Sequence, residues 1–136
     1  MTKVFLLFLF ILVNIQTFVW SDCLFTWKYD LYVVNYLPSN SAPLKLHCAS
    51  KNDDLGYHTL ANGEDFHWSF CENFFPNTLF FCHLWWGSKQ KSFVVFKSKW
   101  GAQHLHLYYW VAKSDGIYLS NINSTESLVK KYDWEV

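Results

Sequence analysis

Apolar and polar residues alternate along this chain over short segments, and each segment ends in turn chemistry, a combination that few folds can use. In LKLHC, Leu44, Leu46 and Cys48 fall on one side while Lys45 and His47 fall on the other. DFHWSF sets Phe66, Trp68 and Phe70 opposite His67 and Ser69. A period of two over so few residues describes a half-buried β-strand. KYDLYVVNY, TLFFCHLWW, SFVVFK, HLHLYYWVA and DGIYLSN bring the series to seven candidate strands. TLFFCHLWW, apolar on both faces apart from His83, reads as a central one. Between them stand Pro38-Ser39-Asn40-Ser41-Ala42-Pro43, Asn62-Gly63, Pro76-Asn77, Gly87-Ser88 and Ser114-Asp115-Gly116, residues that fix φ or tolerate its positive range. No segment sustains a helical stripe, and NSTESLVKKY (123–132) is expected to give an exposed helical turn or two. The expected fold is all-β: a small antiparallel β-sandwich of about seven strands.

The beginning of the chain follows other rules. Lys3 precedes VFLLFLFILV (Val4–Val13), an unbroken apolar run that stops at Asn14. A charged start and an apolar run too short to cross a bilayer describe an export signal. Val19 and Ser21 suit cleavage after Ser21, so 1–21 is expected to be a signal peptide and 22–136 the folded, secreted domain. Cys23, Cys48, Cys71 and Cys82 all follow that site. An even count in an exported chain predicts two disulfides, with three pairings possible. Asn123-Ser124-Thr125 is the one acceptor triplet for an N-glycan, expected on Asn123.

Charge narrows the partners. All eleven basic residues are lysines, and without Lys3 the remaining lysines face eleven carboxylates. With neither arginine nor a basic stripe, nucleic acid and an anionic membrane surface are disfavoured.

One passage, LHCASKNDDLGYHTL (46–60), concentrates groups able to do chemistry. As a metal site its spacing fails. His47 and Cys48 are adjacent and so point to opposite faces of a strand. Asn52, Asp53 and Asp54 are consecutive rather than alternate, and a His104/His106 pair alone is incomplete. No metal and no other cofactor is expected. The chain has no G-x-S-x-G elbow, its cysteines are better used in disulfides, and no catalytic residue is assigned. A structural role fits more of the residues. Leu46 and Cys48 end a strand in the core, Ser50 to Asp54 turn through solvent, and Leu55 returns inward. An aspartate side chain there accepts from an N–H two residues ahead, and Gly56 takes a backbone angle that other residues resist.

Together, NYLPSNSAPLKLHCASKNDDLGYHTL, FHWSFCENFFPNTLFFCHLWW, SFVVF and WVAKSDGIYL resemble the plant self-incompatibility protein S1 family, the S-protein homologues. The resemblance runs over nearly the whole chain after the proposed signal. It implies a small secreted β-sandwich that acts as an extracellular ligand or signalling protein. In self-incompatibility such proteins are pistil determinants recognised by pollen. Cys48 and Cys82 match family positions, whereas the family's two further cysteines are missing from WGAQHLHLYYWV, and Cys23 and Cys71 lie where the family pattern has none. The resemblance thus implies a Cys48–Cys82 bond, with Cys23–Cys71 replacing the absent one.

Recognition is then expected to fall to exposed loops: Lys51, Asn52, Asp53 and Tyr57 in the motif above, and Lys89, Gln90 and Lys91 in the turn after Gly87. The expected partner of this non-enzymatic, monomeric protein is an unidentified cell-surface protein receptor. Neither nucleic acid nor stable membrane insertion is expected. The alternative is a cell-wall carbohydrate-binding module that uses whichever of Trp85, Trp86, Trp100, Tyr108, Tyr109 and Trp110 stand exposed. Against it, half of such residues on a sandwich face the core.

Overall fold

The computed structural model describes residues 23–75, 77–103, 106–121 and 125–136. The proposed signal peptide (1–21) and Asn123 lie outside the described residues. The strands are β1 (Lys28–Asn35), β2 (Leu44–Ser50), β3 (Asp54–Leu60), β4 (Asp65–Cys71), β5 (Leu79–Trp86), β6 (Lys89–Lys97), β7 (Leu107–Lys113), β8 (Gly116–Ser120) and β9 (Val129–Tyr132), with a short 3-10 segment at Ser98–Gln103. They form two sheets, one ordered β4-β1-β7-β8-β9 and the other β3-β2-β5-β6.

The all-β sandwich expected from the sequence is present, with nine strands among the described residues in place of about seven. Both additions come from segments assigned otherwise. The residues that follow the expected Ser50–Asp54 turn, not assigned to a strand, form β3, and the end of the supposed helical segment pairs with β8 as β9. One contact also departs from antiparallel geometry, since β1 and β7 run parallel, with Asp30 beside Leu107 and Asn35 beside Ala112.

Alternation delivers the core. Leu44, Leu46 and Cys48 of β2, Cys82 and Leu84 of β5, and Leu31 and Val33 of β1 point between the sheets and are fully buried. Each such aliphatic side chain contributes about 1.5–3 kcal/mol relative to exposure. The Trp110 indole N–H donates to the Val95 carbonyl at 3.0 Å, a polar tie from β7 to β6 across the two sheets. Cys48 and Cys82 are register partners on β2 and β5 and are bonded, with Cα atoms 4.1 Å apart. Cys23 is bonded to Cys71 at the end of β4, Cα atoms 5.6 Å apart.

The sandwich has two distinct ends. At the proximal end, where β1 begins, lie residues 23–27, the β2–β3 turn, the β4–β5 connection and the 3-10 segment. There the Glu72 N–H donates to the Trp27 carbonyl at 3.0 Å, and the Ser98 N–H to that of Thr78 at 3.0 Å. The distal end is organised by Asn35, which is only 1% exposed. Its amide donates to the Leu60 carbonyl at 3.0 Å, and its Oδ1 accepts from the Leu37 N–H at 2.9 Å. Its own carbonyl accepts from the Gly63 N–H at 2.9 Å, locking β1 to the β3–β4 turn.

Candidate functional site

The turn joining β2 to β3 is built from its own short polar side chains. The Ser50 N–H donates to the Asp53 carbonyl at 2.7 Å, and the Asp53 N–H returns to Ser50 Oγ at 3.1 Å. Asp54 Oδ1 accepts from the Gly56 N–H at 2.9 Å, an acceptor reaching two residues ahead. The same oxygen lies 2.7 Å from His47 Nε2 on the adjacent strand. The Gly56 N–H, and after it His47, hold the Asp54 carboxyl below its ordinary range.

Gly56 has φ +81°, in the region that L side chains resist. Pairing explains why. His47 faces Tyr57 and Ala49 faces Asp54, so Leu55 and Gly56 together oppose the single residue Cys48 in a β-bulge. Leu55 packs against the core. What this bracing leaves in solvent is Lys51, Asn52 and Asp53, all exposed at the proximal end. With Asn73, Asn77 and Phe81 they line an open groove of about 530 Å³.

The other expected recognition residues lie elsewhere. Tyr57, expected in a loop, belongs to β3. It is 75% exposed on the outer face of its sheet, its ring stacked on His47 at 4.3 Å and inclined 24° to Trp85 at 6.1 Å. Lys89, Gln90 and Lys91, expected in a turn, are the first residues of β6 at the distal end. The turn is only Gly87-Ser88, and pairing resumes at once with Lys89 opposite Trp86. These three are also engaged. Lys89 Nζ lies 5.2 Å over the Trp86 ring, and Lys91 Nζ is 2.5 Å from Glu135 Oε1. The Gln90 backbone pairs with Glu135 in both directions, and its side chain meets His83 Nε2 at 2.8 Å. Lys51, Asn52 and Asp53 therefore sit at the opposite end of the molecule from Lys89, Gln90 and Lys91, with Tyr57 between them on the outer sheet face.

The aromatic candidates do not form one row. Tyr108 and Trp110 are buried, and Trp86 and Trp100 pack against the core. Trp85 and Tyr109 belong to different sheets. A planar strip for a sugar chain is therefore not favoured. Phe25, Phe74 and Phe75 escaped sequence-based assignment, yet stand 82%, 75% and 76% exposed at the proximal end. The available signal was the Phe-Phe pair of Asn73-Phe74-Phe75-Pro76-Asn77, apolar bulk inside a turn.

Known proteins share this pattern. The family model for plant self-incompatibility protein S1 matches residues 30–134. S-protein homolog 24 of Arabidopsis thaliana is 40% identical over 80 residues, which cover 58% of this chain and 53% of that protein. The chain thus spans about half the length of that relative. S-protein homolog 21 of Arabidopsis thaliana is 36% identical over 114 residues, 77% of this chain and 82% of the relative. A solved structure of SPH (Self-Incompatibility Protein Homologue) proteins, described as a widespread family of small, highly stable, secreted proteins from plants, shares the fold. Its TM-score is 0.63 at 17% identity, covering 82% of this chain and 97% of that one.

Proposed function

The chain belongs to the plant self-incompatibility protein S1 family, and on that premise we propose that it acts outside the cell as a recognition ligand for a cell-surface protein, with no chemistry on its partner. The supporting observation is the β2–β3 turn. Ser50, Asp54 and His47 are used in holding the backbone, while Lys51, Asn52 and Asp53 are presented to solvent on it. A braced loop with mixed charge suits specificity and orientation, because little entropy is lost when it docks. Export is supported by the Lys3–Val13 pattern and by the secreted character described for the SPH proteins. In its finer form the proposal is a part in cell–cell recognition during reproduction.

The test compares surface and scaffold variants for binding of the labelled protein to plant cell surfaces and for thermal unfolding. Asp53→Ala and Lys51→Ala should weaken binding with the melting temperature nearly unchanged. Gly56→Val should lower the melting temperature, and binding only with it. If binding survives both alanine changes but is lost in Tyr57→Ser or Trp85→Ser, recognition belongs to the outer sheet face instead.

A further inference from the structure

The proximal end carries a second surface beside the recognition turn. Most of the large apolar side chains that stand exposed among the described residues gather there, with Leu24, Phe25 and Trp27 on one strip and Phe74 and Phe75 on another. The strips are fastened side by side. The Cys23–Cys71 bond joins their bases, and the Glu72 N–H donates to the Trp27 carbonyl at 3.0 Å. The Phe74 and Phe75 rings meet edge to face at 5.3 Å. Leu79 and Phe81, also exposed, continue the patch along β5.

Soluble domains seldom expose contiguous apolar area of this kind unless something covers it. Shape and charge both bear on what that is. The side chains of the two strips stand on loops, with Leu79 and Phe81 on the wall of the adjoining groove, and neither Leu24-Phe25-Thr26-Trp27 nor Asn73-Phe74-Phe75-Pro76-Asn77 contains a charged residue. Lysines flank them. Lys28 is the register partner of Cys71, Lys97 that of Leu79, and Lys51 shares the groove with Leu79 and Phe81. Four exposed lysines of this end, Lys28, Lys51, Lys97 and Lys99, stand against three exposed carboxylates, Asp53, Asp54 and Glu126; Asp54 is already engaged by His47, and Glu72 and Asp30 are half-buried. Uncharged aromatic tips bordered by lysines match the boundary of an anionic bilayer, where rings enter the acyl region and ammonium groups stay among headgroup phosphates.

We propose that the proximal end is a peripheral membrane-contact surface, in which Phe25, Trp27, Phe74 and Phe75 enter the interface of an anionic lipid bilayer and the surrounding lysines pair with its headgroups. The contact is shallow and reversible, short of stable insertion. The near-neutral charge of the whole chain concealed it, because the lysines are grouped in space and not in sequence.

The test is co-sedimentation of protein purified from the medium of expressing plant cells with vesicles of phosphatidylcholine, with and without phosphatidylserine. Receptor is absent, so the result is independent of the proposed recognition function. Binding should require phosphatidylserine and fall as salt rises. The Phe74→Ser/Phe75→Ser double variant should lose about tenfold or more in affinity, and Lys28→Gln or Lys97→Gln about fivefold each. These residues are exposed, so melting temperatures should stay near that of the parent. Absence of binding to either vesicle overturns the proposal, as does binding that the double variant leaves intact. Equal binding without phosphatidylserine overturns the anionic preference. Self-association that the double variant abolishes, with no vesicle binding, would assign the patch to contact between copies of this chain.

Discussion

Asp54 Oδ1 lies 2.7 Å from His47 Nε2 across the β2–β3 pair while accepting the Gly56 N–H at 2.9 Å. Both contacts favour the carboxylate, so its folded pKa is depressed below the ordinary value of 3.8. A depressed carboxylate contributes stability that is complete above its unfolded pKa and is lost as pH falls through the folded one. Hydrogen exchange at the Gly56 amide should therefore stay slow at mildly acidic pH and gain protection loss only below the normal aspartate range. In Asp54→Asn the acid-induced step should vanish; a step of unchanged size would assign it to another group.

Gly116, the glycine of Asp115-Gly116-Ile117, is required by space. A Cβ there would sit 2.6 Å from the Tyr132 carbonyl oxygen, a backbone atom of the neighbouring strand. Gly116→Ala should push β9 away and destabilise the fold by about 1–3 kcal/mol. Denaturant unfolding measures this, and the loss should be accompanied by faster amide exchange along β9.

Asn35→Ala should cost about 2–4 kcal/mol, because it strands the Leu60 carbonyl and the Leu37 N–H in a buried setting. Asn35→Asp should also destabilise, since a carboxylate cannot donate to the Leu60 oxygen. Urea unfolding of both variants gives the comparison.

The disulfides should differ in their effects. Each closes a loop, over sequence separations of 34 and 48 residues, worth about 4 kcal/mol in the chain-entropy model. Cys48→Ala/Cys82→Ala also empties two fully buried positions and should lose more stability. Cys23→Ser/Cys71→Ser should leave the core intact and chiefly release residues 23–27, read as new proteolytic cleavage there.

Where one period governed a segment, the sequence carried the structure plainly. Leu44-Lys45-Leu46-His47-Cys48 alternates without interruption, and its buried and outward sides are those observed. β3 was hidden by its bulge. Leu55 and Leu60 are of opposite parity, so no unbroken strand turns both inward, and only the extra residue opposite Cys48 permits it. β9 was hidden by charge: Val129-Lys130-Lys131-Tyr132 buries little and owes its conformation to the open edge of β8. At the candidate site, the Asx-type bond from Asp54 and the backbone role of Gly56 were legible because they are local. The separation of Lys51–Asp53 from Lys89–Lys91 was not, because it depends on strand direction across a whole sheet.

The parallel contact between β1 and β7 bears on the order in which the molecule can assemble. Hairpins such as β2–β3 and β5–β6 close over short stretches as soon as they are synthesised. β1 emerges before them, yet neither of its neighbours, β4 and β7, adjoins it in sequence. β1 must therefore wait for β2 and β3 to be made before β4 can pair with one side of it, and for β5 and β6 as well before β7 can pair with the other. Contacts this distant in sequence form slowly, so the rate of folding should be set by the docking of β7 onto β1.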